Sequence, residues 1–275
     1  MSVKSKSSKP IIHIVLIIGA ISMLLPFIWM LLTSLKTLTE ATKIPPVIFP
    51  KILQWSNYTE VTRLLPFGKF YINTILMIIA RVAFAIIFSS MAAYAFARLK
   101  FPGKNFFFML ILIQMMVPSQ IFIIPQYLIV LKLGWLNSIQ ALILPGVVSA
   151  FGTFLLRQFF IGVPMELEEA AILDGCNKWQ IYTKIMLPLA KSGLIALGIF
   201  TSLFAFKDLM WPLIVNMSTD KMPLAAGLAS LQGQYSTHYE QIMAGSMIAI
   251  WPMLLIFIIF QKHFIQGIAG TGSKG

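Results

Sequence analysis

Arg81, Lys207 and Asp208 are charged side chains set inside long runs of apolar residues, with Trp211-Pro212 close behind. Their chemistry is electrostatic. A charge near the middle of a bilayer costs about 2.5–3.5 kcal/mol on insertion scales, so it must face a partner, a bundle interior or a watery cavity. Arg81 and Asp208 carry opposite signs and are predicted to pair, which makes a structural ion pair the expectation and direct substrate contact the sharper alternative. Lys207 and Asp208 are neighbours, point about 100° apart on a helix, and need not pair with each other. The Trp211 ring offers a face on which a sugar could stack, and Pro212 frees a backbone carbonyl. An interfacial tryptophan near the outer surface is the plainer expectation for it. Asn73 and Gln120 complete the candidates for a translocation path or intramembrane polar network. Gln120 lies among Pro118, Ser119 and Pro125, which either line a path or kink a packed helix.

Covalent chemistry finds no footing. His13, His238 and His263 are scattered without metal-ligand spacing, and no nucleophile–base constellation can be picked out. The single Cys176 cannot form an internal disulfide and reads as an inert thiol. No GxxxxGK[ST] occurs, so the sequence offers no P-loop. Gly270-x-Gly272-x-x-Gly275 matches a dinucleotide fingerprint in form, but no room is left for the helix that must follow. The sequons at Asn57 and Asn216 read as chance matches, and the methionines as apolar packing.

The elements that hold the charged residues are long apolar helices. The chain has 275 residues, 58% hydrophobic and 11% charged, where soluble proteins carry about 25% charged. It is therefore predicted to be all-α, a polytopic membrane protein with no soluble domain. A span needs about 20 apolar residues, and six stretches qualify or nearly so: 11–32, 70–97, 106–131, 139–156 (extending toward 160), 189–215 and 242–260. Counted from the outer ends, Arg81 and Asp208 both lie roughly 14–17 Å deep, so they can meet. Asn73, Met77, Arg81, Ala85 and Ser89 form an i+4 stripe, mostly polar or small, that suits an inward face.

Six spans put both termini on one side. With the termini inside, Lys and Arg are in excess on the cytoplasmic side, although Lys36, Lys43, Lys51, Arg63 and Lys69 share one outer loop. The net charge of +12 is explained by this bias, with no need of nucleic acid. MSVKSKSSKP reads as a retained cytoplasmic tail: no cleavage site follows it, and the next apolar run is too long for a signal peptide. The first outer loop carries Pro45, Pro46, Pro50 and Trp55, and the second, 217–240, carries Pro223 and Tyr235.

One loop between spans stands apart. Residues 164–188 open with Pro164, Glu166, Glu168 and Glu169, which suit a helix N-terminus. Gly175 permits a tight turn or close backbone approach. Trp179, Tyr182 and Ile185 form one apolar stripe of a second short helix, predicted to end at Pro188. Two short helices with an exposed stripe make a helix-in-groove ligand for another protein; an amphipathic helix on the lipid surface is the alternative.

Within that loop, Glu169-Ala170-Ala171, then Asp174-Gly175, then Ile185 and Leu187-Pro188 resemble the EAA loop of permease subunits of bacterial ABC importers. AAYAFARLKFPG at 92–103, FKDLMWPL at 206–213 and QKHFIQGIAGTGSKG at 261–275 resemble the carbohydrate-importing, maltose or multiple-sugar branch. Phe206 and Lys207 depart from the Trp and Asn usual there. The resemblance implies a type I importer fold in one permease domain, 1–275, in the bacterial cytoplasmic membrane. It implies a second homologous permease, an ATPase dimer that binds ATP and Mg, an extracytoplasmic binding protein, and a sugar or, alternatively, glycerol-phosphate substrate. No cofactor is expected in this chain. Glu169 is expected to meet a basic residue of the ATPase, Gly175 to make the close turn, and the C-terminal tail to reach the ATPase pair. An ion-coupled carrier and a membrane-embedded enzyme are the rival classes; a carrier needs no such loop, and an enzyme would show an acidic or histidine cluster.

Overall fold

The computed structural model describes residues 9–232 and 237–272, with side chains over 12–232 and 237–261. The N-terminal tail with Lys4 and Lys6, Tyr235, and the side chains after Gln261 lie outside the described residues. Among the described residues there is no strand, only an isolated bridge between Gln232 and Thr237.

The chain opens with α1 (Lys9–Ser34), α2 (Leu38–Ala41) and α3 (Ser56–Leu64), followed by the long α4 (Phe67–Arg98). Next come α5 (Lys104–Met116), a 3-10 turn at Ser119–Phe122, α6 (Ile123–Lys132), α7 (Ile139–Ile143) and α8 (Ala150–Ile161). The loop region holds α9 (Met165–Leu173), α10 (Lys178–Ile181), a π-helical turn at Tyr182–Met186 and α11 (Leu187–Leu189). Then follow α12 (Lys191–Phe206), α13 (Met210–Val215), α14 (Leu224–Ala229), α15 (Tyr239–Ala249) and α16 (Trp251–Gly272).

Among the described residues, three segments are long and apolar enough to cross a membrane unbroken: Ile12–Ser34, Phe67–Arg98 and Tyr239–Gln261. Three more are bent pairs. Lys104–Met116 and Ser119–Lys132 meet at 102°, with Pro118 at the break. Ile139–Gly146 and Ala150–Ile161 meet at 43°, after Pro145-Gly146 and with Ser149 capping α8 through Gly152 N–H at 2.9 Å. Lys178–Leu189 and Lys191–Phe206 meet at 76°. Counting each pair once gives up to six candidate spans, the number expected, with the fifth placed differently.

The fifth span needs a correction. It was expected as one stretch, 189–215, but α12 ends at Phe206 and residues 207–209 are not helical. Pro212 explains the break: it has no N–H to give to the carbonyl of Asp208, and its ring would crowd that carbonyl in a continuous helix. Pro188 was expected to end its helix, yet the helix runs on to Leu189, because Pro188 sits in the first turn of a segment restarted after the π turn.

The contacts divide the chain into two compact units, Met1–Leu65 with Leu228–Trp251, and Pro66–Gly227 with Pro252–Gly275. In the first, α15 packs on α1 and α3, while the most apolar stretch of α1 has no residue buried in the chain. The end of α1 is closed by side chains. Asn57 is buried and donates to the carbonyls of Ser34 and Lys36 at 2.9 Å each, and Ser34 Oγ and Tyr58 Oη are 2.7 Å apart. Lys36 is buried too; its ammonium donates to Val47 O at 2.6 Å and stands 4.2 Å from the centre of the Trp29 ring. Burial lowers its pKa, and Glu40 opposes the shift. In the second unit, α8 and α12 pack along α4.

Candidate functional site

The α4 stripe faces inward as its spacing predicts: Met77, Arg81, Ala85 and Ser89 are buried. Arg81 reaches a cavity of about 630 Å³ at the broken end of α12. Its Nη1 donates to Asp208 Oδ2 at 2.9 Å, so the expected pair forms. Its Nε donates to Leu142 O at 2.7 Å, and Nη2 bonds the same carbonyl. The guanidinium thus neutralises Asp208 and satisfies a carbonyl of the α7 segment. Gly146 makes room for it: a Cβ there would stand 2.4 Å from Arg81 Cγ.

Trp211 also lines this cavity and is buried in the chain; Nε1 donates to Ala141 O at 2.8 Å. After the break at 207–209, α13 packs against α6 and α7. Gln120 lines the cavity as well, joined by Gln114, Gln126, Ser119, Phe122 and Phe204. The two further glutamines were not singled out by sequence, because amides in an apolar run carry no charge signal. Lys207 lines the cavity too, with its ammonium 5.1 Å from the centre of the Phe204 ring. Asn73 does not belong here. Its amide donates to the carbonyls of Asp220 and Met222 at 3.0 Å each, and so clamps the chain before α14.

The loop after α8 sorts its residues by direction. Glu169, Ala170, Asp174, Gly175 and Pro188 are exposed. Ala171 is buried, and Ile185 and Leu187 pack half-buried on the same core, which includes Phe160, Ile181 and Tyr182. Gly175 has φ +81°, and the N–H of Cys176 returns to Ala171 O at 2.9 Å, closing α9 with a left-handed turn. The stripe Trp179–Tyr182–Ile185 was expected on the outside. Only Trp179 is exposed, at 59%, while Tyr182 is 5% exposed and faces α4, with its hydroxyl 2.7 Å from Ser90 Oγ. The outward apolar surface lies instead on α9 and its turn, with Leu173 88% exposed, Ile172 beside it, and Trp179.

Glu168 was read as one of several acids at a helix start. It is 4% exposed and lies between Lys178 Nζ at 3.1 Å and Arg98 Nε at 3.8 Å. Arg98, at the end of α4, also bonds Phe160 O at 2.7 Å, Val163 O and Met165 Sδ.

Comparison with known proteins agrees with this architecture. A family model described as "Binding-protein-dependent transport system inner membrane component" matches residues 85–270. The chain is 36% identical over 277 residues to the arabinooligosaccharides transport system permease protein AraQ of Halalkalibacterium halodurans, covering 98% of this chain and 99% of that protein. It is 30% identical over 267 residues to the sn-glycerol-3-phosphate transport system permease protein UgpE of Pectobacterium atrosepticum, covering 94% and 95%. Its fold matches, with TM-score 0.78 and 26% identity over 96% of this chain and 100% of the other, a chain in the crystal structure of a bacterial ABC transporter involved in the import of the acidic polysaccharide alginate. With three to six candidate spans among the described residues and a match over most of its length, the chain belongs to the binding-protein-dependent transport system inner membrane components, the permease family of ABC importers, and is an all-helical, multi-pass membrane subunit.

Proposed function

We propose that this permease moves a sugar or oligosaccharide, delivered by an extracytoplasmic binding protein, through the cavity beside Arg81 and Asp208. The lining carries the reading: Gln114, Gln120, Gln126 and Ser119 supply neutral donors and acceptors, and Phe122, Phe204 and Trp211 supply aromatic surface. That combination suits a ring with hydroxyls on its rim and C–H groups on its face. About 630 Å³ is within the usual range for a ligand cavity, about 300–1,000 Å³. The arabinooligosaccharide relative supports the same substrate class.

A second reading, a glycerol phosphate, is favoured by Lys207. Arg81 is occupied by Asp208 and Leu142 O, whereas Lys207 lines the cavity with no carboxylate in ion-pair range among the described residues. An ammonium there would receive a phosphate. The glycerol-phosphate relative is in keeping with it.

Residues 1–275 would act as one permease domain, with both termini cytoplasmic, paired with a second homologous permease. ATP and Mg would be held by two separate ATPase subunits, and this chain would hydrolyse nothing. The loop 164–188 would dock on the ATPase, with Glu169 against a basic residue and Leu173 and Trp179 supplying apolar contact. Closing of the ATPase pair would turn the cavity outward to receive substrate, and hydrolysis would reset it. The test is ATPase activity and uptake in proteoliposomes holding the full complex, across neutral sugars and glycerol phosphates, with wild type beside Gly175→Asp. Stimulation by one ligand, lost in the variant despite intact assembly, is expected. Uptake driven by an ion gradient without the ATPase would overturn the reading.

A further inference from the structure

Ser90, Tyr94 and Arg98 lie four residues apart on the last two turns of α4 and so share one face. That face meets the loop. Ser90 Oγ and Tyr182 Oη are 2.7 Å apart, both buried. The Tyr94 ring lies 5.3 Å from that of Tyr182 and 6.3 Å from that of Phe160. Arg98 is bonded to the carbonyls of Phe160 and Val163, where α8 leads into the loop, and its Nε is 3.8 Å from Glu168 Oε2. The other end of the same helix bears Arg81, joined to Asp208 at the cavity. Arg81 and Arg98 are separated by about 25 Å of continuous helix.

One detail gives this contact two settings. Arg98 Nε and Glu168 Oε2 are both buried, and neither has a hydrogen-bond partner. Such groups are costly to leave unmade. A displacement of about 1 Å would bring them to hydrogen-bond distance. Glu168 therefore has a tighter arrangement within reach, made from groups already facing each other.

The geometry points to Glu168 and Tyr182 as positioning residues that tie the 165–189 loop to α4, so that movement of the loop shifts α4 and, through it, the Arg81–Asp208 pair at the cavity. This rests on the transport reading above. It differs from docking, which concerns the outer face of the loop; these residues act on its inner face and touch neither the ATPase nor the substrate.

The test uses the full complex in proteoliposomes and reads substrate moved per ATP hydrolysed. The variants are Glu168→Gln, Tyr182→Phe and both together. Each single change is expected to lower the ratio about fivefold, the weight of one ordinary hydrogen bond, and the pair about twenty-fivefold if the two ties are independent. The rate of ATP hydrolysis should stay near wild type. A merely structural role would lower transport and hydrolysis in proportion, and that outcome overturns the inference, as does a double variant with the wild-type ratio. Should Glu168→Gln fail to assemble, Tyr182→Phe removes one hydroxyl from a ring that stays packed and decides the matter alone. A wild-type complex without ligand-stimulated ATPase would sink the transport reading itself, before any variant is compared.

Discussion

Arg81 on α4 and Asp208 in the break after α12 are 127 residues apart in the chain, and their Nη1 and Oδ2 atoms stand 2.9 Å apart at the edge of the cavity. Asp208→Asn keeps the shape and removes the counter-charge, leaving a buried guanidinium with only neutral acceptors, an amide oxygen and Leu142 O. It is expected to destabilise the assembled subunit by about 3 kcal/mol. Removing both partners, as Arg81→Met with Asp208→Asn, should cost less than either single change. Thermal unfolding of the purified complex measures this; equal melting for wild type and Asp208→Asn would mean that the pair contributes nothing.

Gly175 holds φ +81° with open space where a Cβ would lie. Gly175→Ala should therefore suffer backbone strain alone, about 1–2 kcal/mol, and Gly175→Asn less, since asparagine tolerates this region. The strain falls on the turn beside Leu173. Titration of the ATPase against the permease should show weaker binding in the order Gly, Asn, Ala, and an inverted order would rule out strain as the cause.

Leu173 is 88% exposed at the end of α9. Leu173→Asp removes nothing from the core, so the melting temperature of the isolated subunit should not change. Its affinity for the ATPase should fall about tenfold or more, as for an apolar anchor in a groove. Unchanged affinity would move docking off this face.

Glu40 gives the segment between α1 and α3 a dependence on pH. Its carboxylate accepts from Lys51 N–H at 3.2 Å and from Thr37 N–H at 3.3 Å, closing the capping box on α2. The Lys51 N–H holds its pKa below the ordinary 4.5; desolvation opposes that shift and Thr37 adds to it. A carboxylate lowered on folding binds fewer protons folded than unfolded. Its contribution is present above 4.5 and is lost as pH falls through the lower folded value. Protection from hydrogen exchange across 37–51, relative to the intrinsic rate at each pH, should fall in that acid window in wild type, and Glu40→Gln should remove that fall.

Arg81 and Asp208 were legible in the sequence because charge inside an apolar run is expensive and their depths agreed. The loop was legible as two short helices about a glycine. Its orientation was not: the periodicity of Trp179, Tyr182 and Ile185 marks an apolar face without saying whether that face meets another protein or the chain's own α4. Glu168 is chemically indistinguishable from Glu166 and Glu169, and its partners Lys178 and Arg98, the latter 70 residues earlier, set it apart. The break before Trp211 was not legible, because Pro212 was read as freeing a carbonyl within one span, when α12 stops at Phe206 and a new short helix begins at Met210. Asn73 belonged to the α4 stripe by spacing, but its partners lie in a loop with no periodic signal.

The π turn at Tyr182–Met186 makes the length of this stretch matter more than its composition. A π turn carries one residue more than an α turn over the same path. Deleting a single residue between 182 and 186 would let the segment relax into a regular α-helix and rotate one flank against the other by about 100°. Tyr182 would swing off Ser90, or Ile185 out of its core, whatever side chains remained. Point changes at outward positions such as Lys184 leave that count intact, so drift there is harmless while a one-codon deletion is not. The turn works as a vernier, fixing which residues the loop shows outward by counting them.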